Sequence, residues 1–197
     1  MSDIKNIEQH YSLDERPFLE KVRGFCQLVD DRYSPYLTDF LNPREIQIVE
    51  ELAHYYNLKF FVSSTLESEE YGRVILAPEY YELDDDDFEI KRLEISYARQ
   101  FNKLTHPKVL GALINQLGLD RQVFGDIILD EEGRVQFAIA SQLASYAIMT
   151  MTKIGNVSVT LKEVSKDDWI SNQENYSQSF VLLSSMRLDN VLATVLN

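Results

Sequence analysis

The sequence has few of the features that mark secreted, membrane-spanning or disulfide-bonded proteins. Its 197 residues include a single cysteine, Cys26, which excludes an intrachain disulfide framework and is typical of a reducing compartment. No run approaches the 18 apolar residues that span a bilayer. The first residues, Met1 to Lys5, lack the charged and then apolar pattern of a signal peptide. We therefore expect a cytoplasmic protein that does not insert into a membrane.

Sequence patterns for catalytic and metal sites are also lacking. There is no Cys/His ligand spacing, no glycine-rich phosphate loop and no Gly-x-Ser-x-Gly elbow. The three histidines, His10, His54 and His106, do not have the spacing of metal ligands. His106 follows Lys103 and precedes Lys108 with no nucleophile beside it, which favours a capping or phosphate contact over a general base. The sequence predicts no catalytic residue, metal or cofactor.

Positive charge is scarce, with 19 Lys and Arg against 32 Asp and Glu and a net charge of −13. This balance argues against nucleic-acid binding by bulk electrostatics. Residues 1–90 and 126–197 carry −13 and −4, whereas residues 91–125 carry six basic and two acidic residues, a balance of +4. The segment 91–125 is therefore the candidate nucleic-acid surface, and the acidic residues 1–90 suit a basic protein partner.

A run of four aspartates, Asp84 to Asp87, separates two patterns of elements. A metal site and a solvated linker are both compatible with it. Adjacent like charges favour the linker, because the run lacks the spaced ligands of a calcium site. We expect no specific divalent ion here and place a domain boundary at this run.

Residues 1–88 are predicted to form an N-terminal α+β domain. Periodic apolar residues indicate a helix from Arg16 to about Asp31. The residues Asn42-Pro43-Arg44-Glu45 are typical of a capped helix start, and this helix should reach about Tyr56. Two apolar runs, 60–62 and 73–76, indicate a hairpin.

Residues 89–166 are predicted to form a ferredoxin-like domain. Alternating apolar residues indicate strands at 93–97, 126–129, 135–139 and 157–161, with a helix after the first and the third. This β-α-β-β-α-β order is the arrangement shared by RRM domains. We expect a four-stranded antiparallel sheet with both helices on one face and strand 93–97 paired with strand 135–139. Ser141 should cap the second helix and Gly155 should end it.

The outward positions of the two central strands lack aromatic residues. An RRM stacks bases on aromatic side chains at these positions. Here they hold Arg92, Glu94, Ser96, Arg134, Gln136 and Ala138. We therefore expect any RNA contact to come from loops and helix ends.

The segment 104–127 contains the most distinctive pattern. Pro107 suits a helix start, Gly118 a left-handed helix stop, and Gly111 costs about 1 kcal/mol relative to alanine inside a helix. A glycine there is explained if a protein or RNA backbone comes close. The segment resembles the signature of the YlmH family, bacterial RNA-binding proteins with a C-terminal ribosomal-protein-S-four-type domain. The matching positions are His106, Leu110, Gly111, Ala112, Leu113, Leu117, Gly118, Arg121, Gly125, Asp126 and Ile127.

Two other segments, Phe40 to Glu45 and Ser184 to Asp189, also resemble the family. Three segments depart from the family pattern. This chain has Pro107-Lys108 where the family often has Arg-Asp. It has Ser63-Ser64-Thr65 in place of a Gly-Gly-Tyr turn and Ser68-Glu69-Glu70 in place of an Ala-Glu-Arg run. In the family, Arg-Leu-Asp opens the first helix of the S-four-type domain. We therefore expect residues 167–185 to be a linker and residues 186–197 to be the first helix of that domain, cut short by the end of the chain.

The resemblance implies a non-enzymatic RNA-binding protein that acts on the large ribosomal subunit in the rescue of stalled translation. It implies ribosomal RNA as a partner, with tRNA as a further candidate, and a link to cell division. The candidate RNA-binding residues are Arg99, Lys103, His106, Lys108, Arg121 and Arg187. The alternative is an acidic protein-interaction module, with RNA bound only by the missing C-terminal domain. An RNA-modifying enzyme ranks last, because the chain is too short for the catalytic domain of a pseudouridine synthase.

Overall fold

The computed structural model describes residues 11–63 and 70–170. Three predictions lie wholly or mostly outside these ranges: the linker at 167–185, the helix at 186–197 and the RNA contact of Arg187. The described residues form two α+β units in sequence, each with two helices packed on one face of an antiparallel sheet. The predicted fold class is confirmed.

The first unit has helices α1 (Arg16–Arg32) and α2 (Pro43–Tyr55). Its strands are β1 (Tyr36–Leu41), β2 (Lys59–Val62) and β3 (Gly72–Ala77), in the order β1-β3-β2. The predicted capping box is present, because Asn42 Oδ1 accepts the N–H of Glu45 and the Glu45 carboxylate accepts the N–H of Asn42, both at 2.9 Å. The core is formed by the buried faces of both helices and by Val74 and Leu76.

Strand β1 was not predicted. It pairs with β3 antiparallel, but its register shifts between Leu37 and Phe40. This irregularity breaks the two-residue alternation that marks a strand in a sequence. The polar residues Thr38 and Asp39 fall at the break, and Thr38 is buried.

The second unit has the predicted β-α-β-β-α-β order. Its strands are β4 (Ile90–Ser96), β5 (Phe124–Leu129), β6 (Val135–Ala140) and, after two short strands, β9 (Thr160–Glu163); its helices are α3 (His106–Asn115) and α4 (Ser141–Thr150). The sheet order is β5-β6-β4-β9, and Leu93 of β4 pairs antiparallel with Phe137 of β6. The predicted central pairing is confirmed.

The expected ends of α4 were wrong. Ala140 occupies the N-cap position without a side-chain cap, and Ser141 is the first helical residue, with its N–H bonded to the Glu89 carbonyl at 2.8 Å. The helix ends at Thr150, before Gly155. Gly155 has a φ of +58° and lies in the turn of a small hairpin formed by β7 (Lys153–Ile154) and β8 (Val157–Ser158). The left-handed conformation of Gly155 therefore belongs to this turn and does not end α4. The predicted fourth strand, 157–161, is divided between β8 and β9.

Three of the four aspartates lie in a short 3₁₀ helix, Asp85–Phe88, and the residues Asp84 to Asp86 are exposed. The Asp84 side chain accepts the N–H of Asp86 at the start of the turn. Asp87 accepts the hydroxyl of Tyr81, and Asp85 forms an exposed ion pair with Lys166 at 2.6 Å. The carboxylates thus stabilise the conformation of the segment that connects the two units.

Candidate nucleic-acid interface

The sheet face on which an RRM stacks bases is covered in this protein. The outward side chains of the two central strands, β4 and β6, lie on this face. Two of these polar residues, Glu94 and Gln136, are nevertheless buried. The Gln136 amide nitrogen donates to the Glu94 carboxylate at 2.9 Å and to the carbonyl of Asp168, while its oxygen accepts the N–H of Ile170 at 2.7 Å. Trp169 lies against Arg92, with the guanidinium carbon 5.2 Å from the ring centroid. The segment after β9 therefore covers one side of the face.

The first sheet covers the other side of this face. Phe40 of β1 is buried against Gly125 and Ala138, so closely that a Cβ on Gly125 would lie 2.9 Å from the Phe40 ring. The Arg73 side chain of β3 donates to the carbonyls of Thr38, Phe88 and Glu89, two of which precede β4. Stacking of RNA bases on this face is excluded by the packing of the two sheets.

Asp126 of β5 binds the backbone of the first unit. Its carboxylate accepts the N–H of Tyr71 at 3.0 Å and also that of Glu70. Burial raises the pKa of the Asp126 carboxyl, and these hydrogen bonds oppose the rise. Asp126 is therefore a structural group between the two sheets.

Arg121 lies at the same junction. Its guanidinium carbon is 3.7 Å from the ring centroid of Tyr71 and 4.8 Å from that of Phe124. The guanidinium also donates to the carbonyls of Phe124 and Gly125. Arg121 was predicted to contact RNA, but these contacts use its charge and its planar face within the fold. Arg121 follows the C-terminal end of α3, a helix about 15 Å long, whereas the other candidates in the described residues lie before the helix or in its first turn.

The structure brings four of the predicted residues together around the start of α3. Arg99 and Lys103 lie in the loop after β4, and His106 and Lys108 lie in the first turn of the helix; all four are exposed. Within the described ranges, Arg99, Lys103 and Lys108 form no ion pair. We call residues 97–108 the basic loop.

Internal hydrogen bonds shape the basic loop. The backbone N–H groups of Phe101 and Asn102 both bond the carbonyl of Ala98 at 3.1 Å. The hydroxyl of Tyr97 donates to the carbonyl of Gly133 at 2.8 Å, which holds the loop against the β5–β6 turn. The loop is therefore anchored at its base, and its charged side chains project from a defined turn.

Phe101 also belongs to this surface, although it was not among the residues predicted to contact RNA. Its side chain is 80% exposed, and it lies between Arg99 and Lys103 in the chain. An aromatic residue flanked by cations in a loop is the sequence signal that could have identified it. Thr105 occupies the N-cap of α3 without a side-chain cap, so the positive end of the helix is left to solvent. Together these groups can hold phosphates and stack one base.

Across the described residues, no group of three or more His, Cys, Asp and Glu side chains could hold a metal ion. The expectation that the aspartate run binds no specific cation stays a prediction. In the same ranges, every helix is too short or too polar to traverse a lipid bilayer.

The sequence and the fold match known proteins. A family profile described as "Putative RNA-binding domain in YlmH" matches residues 84–168. The chain is 32% identical over 192 residues to "Ribosome-associated protein quality control protein P2" of Bacillus subtilis (strain 168), covering 98% of this chain and 74% of the relative. A solved structure, "Cell division protein ylmH from Streptococcus pneumoniae", is 42% identical with a TM-score of 0.70, and the match covers 79% of this chain and 94% of that one. The resemblance of the signature segment is thereby confirmed, and the chain belongs to the YlmH family.

Proposed function

We propose that this protein is a non-enzymatic RNA-binding factor that acts in the cytoplasm on the large ribosomal subunit, in the rescue of stalled translation. The observation that carries the proposal is the basic loop, where exposed cations and an exposed aromatic side chain surround an uncapped helix start. The similarity to a protein named for ribosome-associated quality control supports the ribosome as the place of action.

The chemistry of the loop supports binding rather than catalysis. His106 is exposed, and the loop contains no serine, cysteine or carboxylate that could act with it. Ribosomal RNA offers closely spaced phosphates, which suit Arg99, Lys103 and Lys108, and unpaired bases, which suit Phe101. We include tRNA as a second RNA of the same chemistry.

Ribosome co-sedimentation at several salt concentrations tests this proposal. The double variant Arg99→Ala/Lys103→Ala should bind less, and its plot of log affinity against log salt should flatten by up to about 0.7–0.9 per lost phosphate contact. The matched control is Arg16→Ala/Lys21→Ala, which removes two exposed charges from α1.

Equal affinity and equal salt dependence in both double variants would contradict the role of the basic loop. That result would favour the alternative of a protein-interaction module. The excess of 13 negative charges in residues 1–90 is the observation that supports this second candidate. A basic partner, including one from the division machinery, would then bind the first unit.

A further inference from the structure

A groove of about 550 Å³ lies between α3 and the β7–β8 hairpin. A volume of this size is typical of a ligand site. The groove adjoins the basic loop, because Pro107 and Lys108 belong to both. Its polar and glycine lining consists of Lys108, Gly111, Asn115, Gln116, Gly155 and Asn156.

The groove lies in a part of the chain that has no carboxylates. Residues 95–119 and 133–162 contain six of the 19 Lys and Arg residues and none of the 32 Asp and Glu residues. Both walls come from these two segments, since α3 belongs to the first and the hairpin to the second. In a chain with a net charge of −13, the groove is a surface that a polyanion can approach without meeting a carboxylate in either wall.

The amide side chains of the groove are available to a ligand. Asn115, Gln116 and Asn156 make no side-chain hydrogen bond to another residue of the described ranges. Amides donate and accept hydrogen bonds, which suits the 2′-hydroxyl and the oxygens of a ribose. No aromatic residue lines the groove, so stacking of bases is not its chemistry.

Two glycines keep the groove open. A Cβ on Gly111, in the middle of α3, would meet only the amide nitrogen of Asn115, at 3.9 Å. A Cβ on Gly155 would meet nothing within 4 Å. A ligand can therefore approach the helix and the hairpin turn more closely than it could beside larger residues.

We propose that this groove holds the sugar–phosphate backbone of a single RNA strand that continues from the basic loop. Lys108 at the shared rim contacts a phosphate, and the amides contact the riboses that follow. The inference rests on the proposed RNA-binding function and adds to it a second surface, which recognises ribose. It replaces the covered sheet face as the place where a strand crosses this RRM-like unit.

The variant Gly111→Leu tests the proposal, because leucine extends into the groove and has a higher helix propensity than glycine. The full chain is titrated into a fluorescein-labelled twelve-nucleotide uridine RNA and followed by anisotropy. We expect at least a tenfold loss of affinity with no fall in Tm. The matched control, Gly24→Leu, changes a glycine of α1 that is equally open, and we expect it to bind as the wild type does.

A second variant, Asn156→Glu, places a carboxylate at the exposed hairpin turn and should also weaken RNA binding at least tenfold. A deoxyuridine oligonucleotide of the same length should bind the wild type more weakly than the RNA, because it lacks the 2′-hydroxyl. Wild-type affinity for RNA in both variants overturns the proposal and leaves the groove to a peptide.

The two proposals fail separately. If Arg99→Ala/Lys103→Ala weakens ribosome binding but neither groove variant changes RNA affinity, the basic loop stands and the groove does not. If the wild type sediments with ribosomes yet does not bind the uridine RNA, the groove proposal alone is overturned. If the wild type binds neither, both proposals fail.

Discussion

The Oδ2 atom of Asp126 accepts the backbone N–H of Tyr71 at 3.0 Å and so joins segments 55 residues apart. The register of β5 shifts between Phe124 and Ile127, so Asp126 sits at an irregularity of the strand. Its neighbour Gly125 lies under Phe40, and Arg121 stacks on Tyr71. The second half of the family signature, which contains Arg121, Gly125 and Asp126, therefore holds the two sheets together. The first half, around α3, contributes to the basic loop and to the groove.

Asp126→Ala should lower the free energy of unfolding by about 1–3 kcal/mol, because two N–H groups of the first unit lose their acceptor. Asp126→Asn retains an oxygen acceptor and should cost less. Urea denaturation of the three proteins at pH 7 measures both effects. Equal midpoints for Asp126→Ala and the wild type would show that the contact adds no stability.

The pH dependence of Asp126 has a defined sign. Burial raises the pKa of its carboxyl above the ordinary value of 3.8, so the folded state binds this proton more readily than the unfolded state does. Its ionisation therefore opposes folding at neutral pH, and this effect is lost as the pH falls through the raised pKa. The stability of the wild type minus that of Asp126→Asn should increase between pH 7 and pH 4. A difference that stays flat or decreases would contradict the assignment.

Gly125→Ala should lower the free energy of unfolding by about 1–3 kcal/mol, because the core of the junction is overpacked. The new Cβ would lie 2.9 Å from the ring of Phe40 and 3.3 Å from the Cβ of Ala138, and Phe40 is buried. The matched control is Gly111→Ala, where the Cβ has space and helix propensity adds up to about 1 kcal/mol. Thermal unfolding of both variants should move Tm in opposite directions. The further substitution Phe40→Leu should restore part of the loss.

Arg121→Lys should destabilise the fold by about 1–2 kcal/mol, because lysine lacks the planar guanidinium that lies against the rings of Tyr71 and Phe124. RNA affinity, measured by anisotropy under conditions where the variant is folded, should be unchanged. Weaker RNA binding at unchanged stability would return Arg121 to the RNA-binding surface, as the sequence first indicated.

Cys26 should be almost inert in the folded protein. The side chain is fully buried, and burial raises the pKa of its thiol to about 11. At pH 8 the thiolate is on the order of 0.1% of the thiol, and the buried sulfur is not accessible to an alkylating reagent. Mass spectrometry after iodoacetamide treatment should show labelling only when guanidinium is added. Rapid labelling without denaturant would mean that α1 opens readily.

The sequence predicted the second sheet well because Leu93, Ile95, Val135, Phe137 and Ile139 alternate without interruption, and this local pattern determines which face is buried. It missed β1, where the shift between Leu37 and Phe40 breaks the alternation.

The covered sheet face could not be predicted from local sequence. Glu94 and Gln136 have the polarity of solvent-facing residues, and Gln136 finds its partner Ile170 34 residues away. The contact of Arg121 with Tyr71 could not be predicted for the same reason, since nothing near Arg121 in sequence indicates Tyr71, and its RNA contact stays a prediction. The domain boundary at residue 88 stays a prediction; the Arg73 guanidinium donates to the carbonyls of Phe88 and Glu89, one on each side of it.

The uneven placement of carboxylates also makes the molecule electrically polar. Residues 1–90 carry an excess of 13 negative charges, while the two segments that build the groove carry only cations. The field of an RNA exerts a torque on such a dipole and turns the groove side towards the phosphates before the two surfaces meet. Added salt shortens the reach of this field to about 10 Å at 0.1 M, so fewer encounters begin in a productive orientation. The same negative charge that repels RNA from residues 1–90 thus orients the groove towards the RNA.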